Sequence, residues 1–98
     1  MNLEKQIIYN KEALKFLNKI NPGIKKVLLF NIERISQGLN REKCRKLIGL
    51  ANKDHIKPGT YRLKLEHFRI LFRIEGNNLY IDSIVTKTNA KFRKYGTH

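Results

Sequence analysis

The stretch 60-TYRLKLEHFRILFRIE-75 contains two alternating runs on either side of a Glu66-His67 corner. Apolar side chains recur at every second position of both runs, at Tyr61, Leu63, Leu65, Phe68, Ile70, Phe72 and Ile74. A period of two predicts β-strands with one buried face, and a two-residue corner predicts that the strands pair as an antiparallel hairpin. A loop of this length also sets the register, so that Leu63 is expected opposite Ile70 and Lys64 opposite Arg69.

Patterns on both sides of the hairpin complete the predicted domain. In chain order we expect a strand at 6–9, a helix at 11–20, a helix from 22 to about 38, a helical turn and loop at 39–59, and a third meander strand at 79–86 after a turn at 76–78. The second helix is predicted to face the core with Ile24, Val27, Leu28, Ile32 and Ile35. Helices grouped on one face of an antiparallel meander define an α+β two-layer fold.

Size and charge narrow the classes of function. The 98 residues are 41% hydrophobic, which fits one domain spanning 1–98. Lys and Arg number 21 against 8 Asp and Glu, giving a formal charge of +13 that indicates an anionic partner, nucleic acid first. The alternative is a lysine-rich solvated surface without a specific partner.

Cellular location is inferred from three features of the sequence. The sole cysteine, Cys44, cannot form an internal disulfide, which is typical of a reducing cytoplasm, and we expect it to pack within a helical segment. The first residues lack the apolar segment of a signal peptide, and no apolar run approaches membrane-spanning length. The sequence therefore predicts a cytoplasmic protein with no membrane partner.

The polar face of the hairpin concentrates positive charge. Lys64 is expected opposite Arg69, with Arg62 and Arg73 nearby on the same solvated face. Like charges at facing positions destabilise a hairpin, so the cluster indicates an anionic ligand such as a phosphate. A plain exposed face is the alternative interpretation.

The tail 87-KTNAKFRKYGTH-98 interleaves cations with aromatic side chains. Its candidate RNA-binding residues are Lys87, Lys91, Arg93, Lys94 and His98, and its aromatic residues are Phe92 and Tyr95. Single-stranded RNA is held in this way, because cations contact the backbone while a ring stacks on an unpaired base. The alternative is a solvated terminus with Phe92 tucked into the core.

Metal and cofactor chemistry find no support in the sequence. The three histidines are dispersed at 55, 67 and 98, and with one cysteine they form no metal-ligand spacing. No glycine-rich phosphate loop is present. We expect neither a metal nor a small-molecule cofactor.

Taken together, these elements resemble the RelE/ParE superfamily of bacterial toxins. The resemblance is carried by KLIGL at 46–50, YRLKL at 61–65, FRILFRI at 68–74, the GNN turn at 76–78, LYIDSIV at 79–85 and a basic tail with a late tyrosine. For the RelE branch, it implies ribosome-dependent cleavage of mRNA in the A site, in contact with rRNA. It also implies silencing by a cognate acidic antitoxin that folds as it wraps over the toxin.

The same resemblance implies catalytic residues. The basic pair of this branch falls on Arg62 and Lys64, its next-strand arginine on Arg69, and its late tyrosine on Tyr95. A further arginine expected after the last strand has no match, because the sixth position before Tyr95 is Asn89; Lys87 is the nearest cation.

Metal-free RNA cleavage requires a base, an acid and stabilisation of the phosphorane. Lys64 is a candidate base, because the neighbouring cations Arg62 and Arg69 disfavour its protonated form. The arginines suit phosphate clamping, Tyr95 suits stacking on a base at the cut, and the acid is Arg69 or a histidine.

Two other functions remain open at the level of sequence. One is a gyrase poison of the ParE branch, which is not a nuclease and needs no cluster at Arg62, Lys64 and Arg69. The other is a basic RNA-binding module without catalysis, expected to bind with a steep salt dependence and to leave no cut ends.

Overall fold

A computed structural model of the protein describes residues 4–47, 57 and 59–87. Within these ranges the elements are, in chain order, β1 (Gln6–Tyr9), α1 (Lys11–Lys19), α2 (Pro22–Ser36), a 3-10 turn (Arg41–Lys43), β2 (Cys44–Lys46), β3 (Tyr61–Lys64), β4 (Phe68–Glu75) and β5 (Asn78–Thr86). The described strands form a five-stranded sheet in the order β1-β5-β4-β3-β2. The sheet is mixed, because β1 runs parallel to β5 while the other neighbours are antiparallel.

The predicted α+β architecture is confirmed. A parallel pair needs a crossover connection, which α1 and α2 supply between β1 and the meander. The hairpin has the predicted register, with Leu63 opposite Ile70 and Lys64 opposite Arg69. At its corner, the Leu65 amide donates to the Phe68 carbonyl at 2.9 Å.

Both helices begin at asparagine caps, as short polar side chains satisfy the first free amides of a helix. Asn10 Oδ1 accepts from the Glu12 amide at 2.9 Å, and Asn21 Oδ1 accepts from the Gly23 amide at 2.7 Å. α2 ends at Ser36, and Gly38, two residues later, has a φ of +84°, the left-handed conformation that glycine adopts without strain. Among the described residues, no helix is long and apolar enough to span a membrane.

The core lies between the helices and one face of the sheet. Its buried residues are Ala13, Leu17, Leu28, Ile32, Ile35, Leu63, Ile70, Phe72, Leu79, Ile81 and Ile84. A β-bulge opposite Leu71 and Phe72 lets both Ile81 and Ile84 face this core, although strict alternation would separate them. Asp82 and Ser83 are consequently left on the other face.

The prediction of core-facing residues in α2 is wrong for Ile24 and Val27. Leu28, Ile32 and Ile35 are buried, whereas Ile24 is 36% and Val27 56% exposed. Val27 lies one residue, about 100° of helical rotation, from Leu28, so it points past the sheet.

The region after α2 departs further from the prediction. The expected helical turn is the 3-10 turn Arg41–Lys43, but the next residues form β2 where a loop was predicted. Cys44 therefore lies on a strand opposite Leu63, not in a helix, and its thiol donates to the Asn40 carbonyl at 3.3 Å. Most of the predicted loop, residues 48–56 and 58, lies outside the described residues.

Candidate functional site

An open cavity of about 390 Å³ lies beside the face of the sheet that the helices leave uncovered. Its lining residues are Glu42, Lys43, Arg45, Arg62, Lys64, Leu65, Glu66, Arg69 and Lys87. Six cations and two carboxylates leave a formal excess of four positive charges. A concentration of positive charge of this kind raises the local concentration of anions.

Three adjacent strands bring these cations together. Lys64 on β3 lies directly opposite Arg69 on β4, and Arg62 on β3 lies directly opposite Arg45 on β2. Each facing pair of like charges costs roughly 0.2 to 1 kcal/mol of stability unless an anion lies between the two side chains. The predicted trio of Arg62, Lys64 and Arg69 thus shares one cavity.

Arg69 is buried, with 4% of its surface exposed, which corrects the expectation of a fully solvated cationic face. Its Nη1 donates to the Leu65 carbonyl at 2.5 Å and to the Phe68 carbonyl at 2.9 Å. These bonds hold the guanidinium against the hairpin corner and compensate part of the cost of burying a charge.

Arg62 is likewise buried, with 8% exposed, because β2 and β4 flank its strand on both sides. Burial lowers the pKa of Arg62, and the nearby Arg45 cation lowers it further. A guanidinium nevertheless remains charged throughout the physiological range, so Arg62 supplies a fixed positive charge.

Two of the exposed cations of the cavity are the lysines nearest the hairpin corner. Lys64 and Lys87 are both exposed. The Lys87 amide donates to the His67 carbonyl at 2.8 Å, which ties the end of β5 to the hairpin corner. Lys87, the first residue of the basic tail, therefore lines the same cavity as Lys64 and Arg69.

Arg73 lies on the same face of β4 as Leu71, the cross-strand partner of Arg62, but it does not line the cavity. Its Nε and Nη2 donate to the Asp82 carboxylate at 2.7 and 3.2 Å, and its Nη1 donates to Glu75. The guanidinium also lies 4.8 Å from the centre of the Tyr80 ring. The hydrogen bond to Asp82 raises the pKa of Arg73, so the side chain is a charged partner of two carboxylates.

Five predicted site residues lie outside the described part of the chain: Lys91, Arg93, Lys94, Tyr95 and His98. Their roles in stacking and RNA binding stay predictions.

Arg45 and Lys43 line the cavity but were not among the predicted site residues. The basic run 41-REKCRK-46 was the available signal. It could not be placed, because a three-residue strand shows too little periodicity to be recognised.

No protein-family model and no curated protein matches the chain. Several solved structures do match it. A chain of the archaeal RelE-RelB complex from Pyrococcus horikoshii OT3 has a TM-score of 0.68 at 18% identity, over 89% of this chain and 99% of that chain. A chain of the toxin-antitoxin complex RelBE2 from Mycobacterium tuberculosis has a TM-score of 0.67 at 15% identity, over 86% and 99%.

A third match is a toxin solved without its antitoxin. A mutant of the E. coli toxin RelE in the free state has a TM-score of 0.65 at 16% identity, over 93% of this chain and 92% of that chain. At these identities the similarity concerns the path of the backbone. The resemblance inferred from the sequence is confirmed at that level, and the chain has the fold of the RelE toxins.

Proposed function

We propose that the chain is the toxin of a toxin-antitoxin pair, a single domain over 1–98 that cleaves ribosome-bound mRNA in the cytoplasm without a metal. The observation that carries this proposal is the open cavity lined by Arg62, Lys64 and Arg69 in a chain with the RelE fold. A scissile phosphate held there would face one exposed amine and two buried guanidiniums. The mRNA in the ribosomal A site is the proposed substrate, and rRNA is the proposed second contact.

The proposed reaction is an intramolecular transesterification of the RNA. Lys64 acts as the general base and takes the proton of a 2′-OH, and the resulting oxygen attacks the adjacent phosphorus. The bond from phosphorus to the 5′ oxygen breaks, which leaves a 2′,3′-cyclic phosphate and a 5′-hydroxyl. Arg62 and Arg69 stabilise the extra negative charge of the phosphorane, since preorganised donors act most strongly where charge develops.

The leaving 5′ oxygen needs a proton from a general acid. Arg69 is unsuited to this role, because a guanidinium keeps its proton and its Nη1 already donates to two carbonyls. A histidine is the remaining candidate. Tyr95 is proposed to stack on a base at the cut, and the tail cations Lys91, Arg93, Lys94 and His98 to hold the flanking backbone.

An acidic antitoxin is the proposed protein partner. The chain carries +13, so an acidic polypeptide would relieve its self-repulsion while it covers the cationic cavity. Structures of similar fold include RelB-RelE complexes from Methanococcus jannaschii and Pyrococcus horikoshii. Copurification of the untagged product of a neighbouring gene tests this partner, and free high-level expression of the chain alone would count against toxicity.

Induction in a test bacterium, with mapping of new mRNA 5′ ends shortly afterwards, tests the enzymatic proposal. We expect growth arrest and new ends inside translated codons for the natural chain. Lys64→Ala should abolish both, and Lys26→Ala should abolish neither. Lys26 is a matched control because it is an exposed lysine on α2, outside the cavity.

Other outcomes would identify the competing functions. Arrest with DNA damage and filamentation but without new 5′ ends would indicate a gyrase poison. RNA binding with a steep salt dependence but without arrest would indicate a non-catalytic binding module. Arrest that persists in Lys64→Ala with unchanged cuts would remove Lys64 from the site while leaving the nuclease proposal intact.

A further inference from the structure

β2 adds to the cavity an arginine that the hairpin alone does not contain. Arg45 is the direct cross-strand partner of Arg62, as Lys64 is of Arg69. All four side chains line the cavity. The wall of the cavity along the sheet therefore carries two facing pairs of cations in succession.

The spacing of the two pairs follows from strand geometry. Arg62 and Lys64 are two residues apart on β3, so they share a face and the pairs are offset by about 7 Å along the strand. That offset is comparable with the separation of consecutive phosphates in an extended nucleic-acid strand. Each pair spans two neighbouring strands, which lie about 4.8 Å apart, and the two pairs lie on opposite sides of β3.

The acidic residues of the cavity are unevenly placed. Glu42 precedes β2 and Glu66 follows β3, and because these strands are antiparallel both carboxylates lie toward the hairpin corner. At the Arg45 and Arg62 end, no lining residue within the described part of the chain is acidic. The exposed guanidinium of Arg45 also lies close enough to buried Arg62 to lower its pKa.

We propose that the cavity holds two adjacent phosphates of an RNA strand, one between Lys64 and Arg69 and the next between Arg45 and Arg62. Arg45 is then a substrate-binding residue whose planar guanidinium grips a phosphate through two parallel hydrogen bonds. The identity of the ligand as RNA rests on the proposed function. The second subsite itself rests on the placement of β2.

Binding of short, uncleavable ligands tests the subsite. The probes are a 2′-O-methyl uridine dinucleotide with its internal phosphate alone and the same dinucleotide with an added 5′-phosphate. Each displaces a fluorescent 2′-O-methyl oligonucleotide from the full chain. These probes lack the 2′-OH nucleophile, so the measurement does not depend on cleavage.

We expect Arg45→Gln to weaken binding of the two-phosphate probe by about tenfold, because a charge-assisted contact is lost. Binding of the one-phosphate probe should change by at most about twofold, since the Lys64 and Arg69 subsite still accepts it. The slope of log affinity against log salt for the two-phosphate probe should fall by about 0.7. Arg45→Lys should recover part of the affinity, because it restores the charge without the planar fork.

Lys46→Gln is the matched control. Lys46 is the next residue of β2 and is exposed, but it points to the opposite face and does not line the cavity. Affinities for both probes should stay within about twofold of the natural chain, as no phosphate contact is removed. Circular dichroism of both variants confirms that the fold is retained.

Three results would overturn the subsite: no effect of Arg45→Gln, an equal loss for both probes, or an equal loss in Lys46→Gln. Preference of the natural chain for two phosphates, lost in Arg45→Gln, would support it even if the chain cleaved no mRNA. Conversely, mRNA cleavage with no effect of Arg45→Gln on either probe would leave the nuclease proposal standing and remove only the second subsite.

Discussion

Lys64 differs from Arg62 and Arg69 in both exposure and chemistry. It is exposed, whereas Arg62 and Arg69 are buried, and an amine can give up its proton where a guanidinium cannot. The proposed division of work follows from this difference: Lys64 moves the proton, and the arginines hold the charge of the phosphate.

Lys64→Arg separates these two roles. The variant keeps a positive charge at the cavity, so affinity for an uncleavable oligonucleotide should stay within about threefold. Its cleavage rate should fall by about 10² to 10⁴, because the general base is lost. Single-turnover cleavage on ribosome-bound mRNA, alongside the binding assay, measures both. Lys26→Arg serves as the control, and near-normal cleavage by Lys64→Arg would rule out proton abstraction by Lys64.

The side chains around Arg73 indicate that this cation has a structural role. Its side chain is 12% exposed and that of Asp82 is 18% exposed, and the two form a bidentate pair at the β-bulge. We expect Arg73→Gln to lower the free energy of unfolding by about 1 to 3 kcal/mol, because the Asp82 carboxylate is left poorly solvated. Urea denaturation measures this change.

The double variant Arg73→Gln with Asp82→Asn is the control for that prediction. It should recover part of the loss, since the largely buried Asp82 carboxylate is replaced by a neutral amide, while Glu75, the other partner of Arg73, is exposed to solvent. Affinity for RNA should change by less than about twofold in both variants, as Arg73 does not line the cavity. A large loss of RNA affinity with unchanged stability would instead return Arg73 to the binding surface proposed from the sequence.

At the scale of elements, β2 extends the cavity and brings a second facing pair of cations into the sheet. It places Arg45 against Arg62, next to the facing cations Lys64 and Arg69. Such an arrangement lowers stability in the absence of a ligand and is relieved when an anion binds. Stability and ligand affinity should therefore respond in opposite directions to the same substitution.

Arg45→Gln tests whether stability and ligand affinity change in opposite directions. In low salt, the free energy of unfolding should rise by a few tenths to about 1 kcal/mol, because one facing pair of like charges is removed. The gain should shrink in high salt, where the repulsion is screened. Urea denaturation at two salt concentrations gives both values, with Lys46→Gln as the control for loss of an edge-strand cation. A loss of stability in Arg45→Gln would show that Arg45 holds the edge of the sheet.

At the scale of the whole molecule, the net charge of +13 affects both the stability of the chain and its binding to any charged partner. Self-repulsion of this size destabilises a compact chain, and the Debye length falls from about 30 Å at 0.01 M salt to about 10 Å at 0.1 M. The midpoint of thermal unfolding should consequently rise across this range by several degrees. Differential scanning fluorimetry without an antitoxin or RNA measures it, and a flat response would mean that the charges lie too far apart to matter.

Polyanions should provide part of the stabilisation that we expect from a bound partner. A ligand that binds only the folded chain raises its stability by mass action, so an RNA oligonucleotide should raise the midpoint more than salt of equal ionic strength. The same reasoning applies to the proposed acidic antitoxin, whose complex we expect to unfold at a higher temperature than the chain alone.

The sequence by itself determined the α+β layout, the hairpin register and the helix starts, because each depends on local information. Alternation over 61–75 predicts two paired strands with one apolar face, and the Glu66-His67 corner leaves one register that buries Leu63 and Ile70 together. Asn10 and Gly38 mark helix ends through side-chain and backbone preferences that act within one turn.

Only the tertiary structure decided that Arg45 belongs to the cavity and that Arg73 does not. Arg45 joins the cavity because a three-residue strand pairs across a long connection, and Arg73 leaves it because Asp82 approaches at a bulge. The placement of both arginines depends on contacts between residues that are distant in the chain. Local periodicity in the sequence carries no information about such contacts. The burial of Arg62 and Arg69 has the same origin: a strand is exposed or enclosed according to its neighbours, and those neighbours are set by the fold.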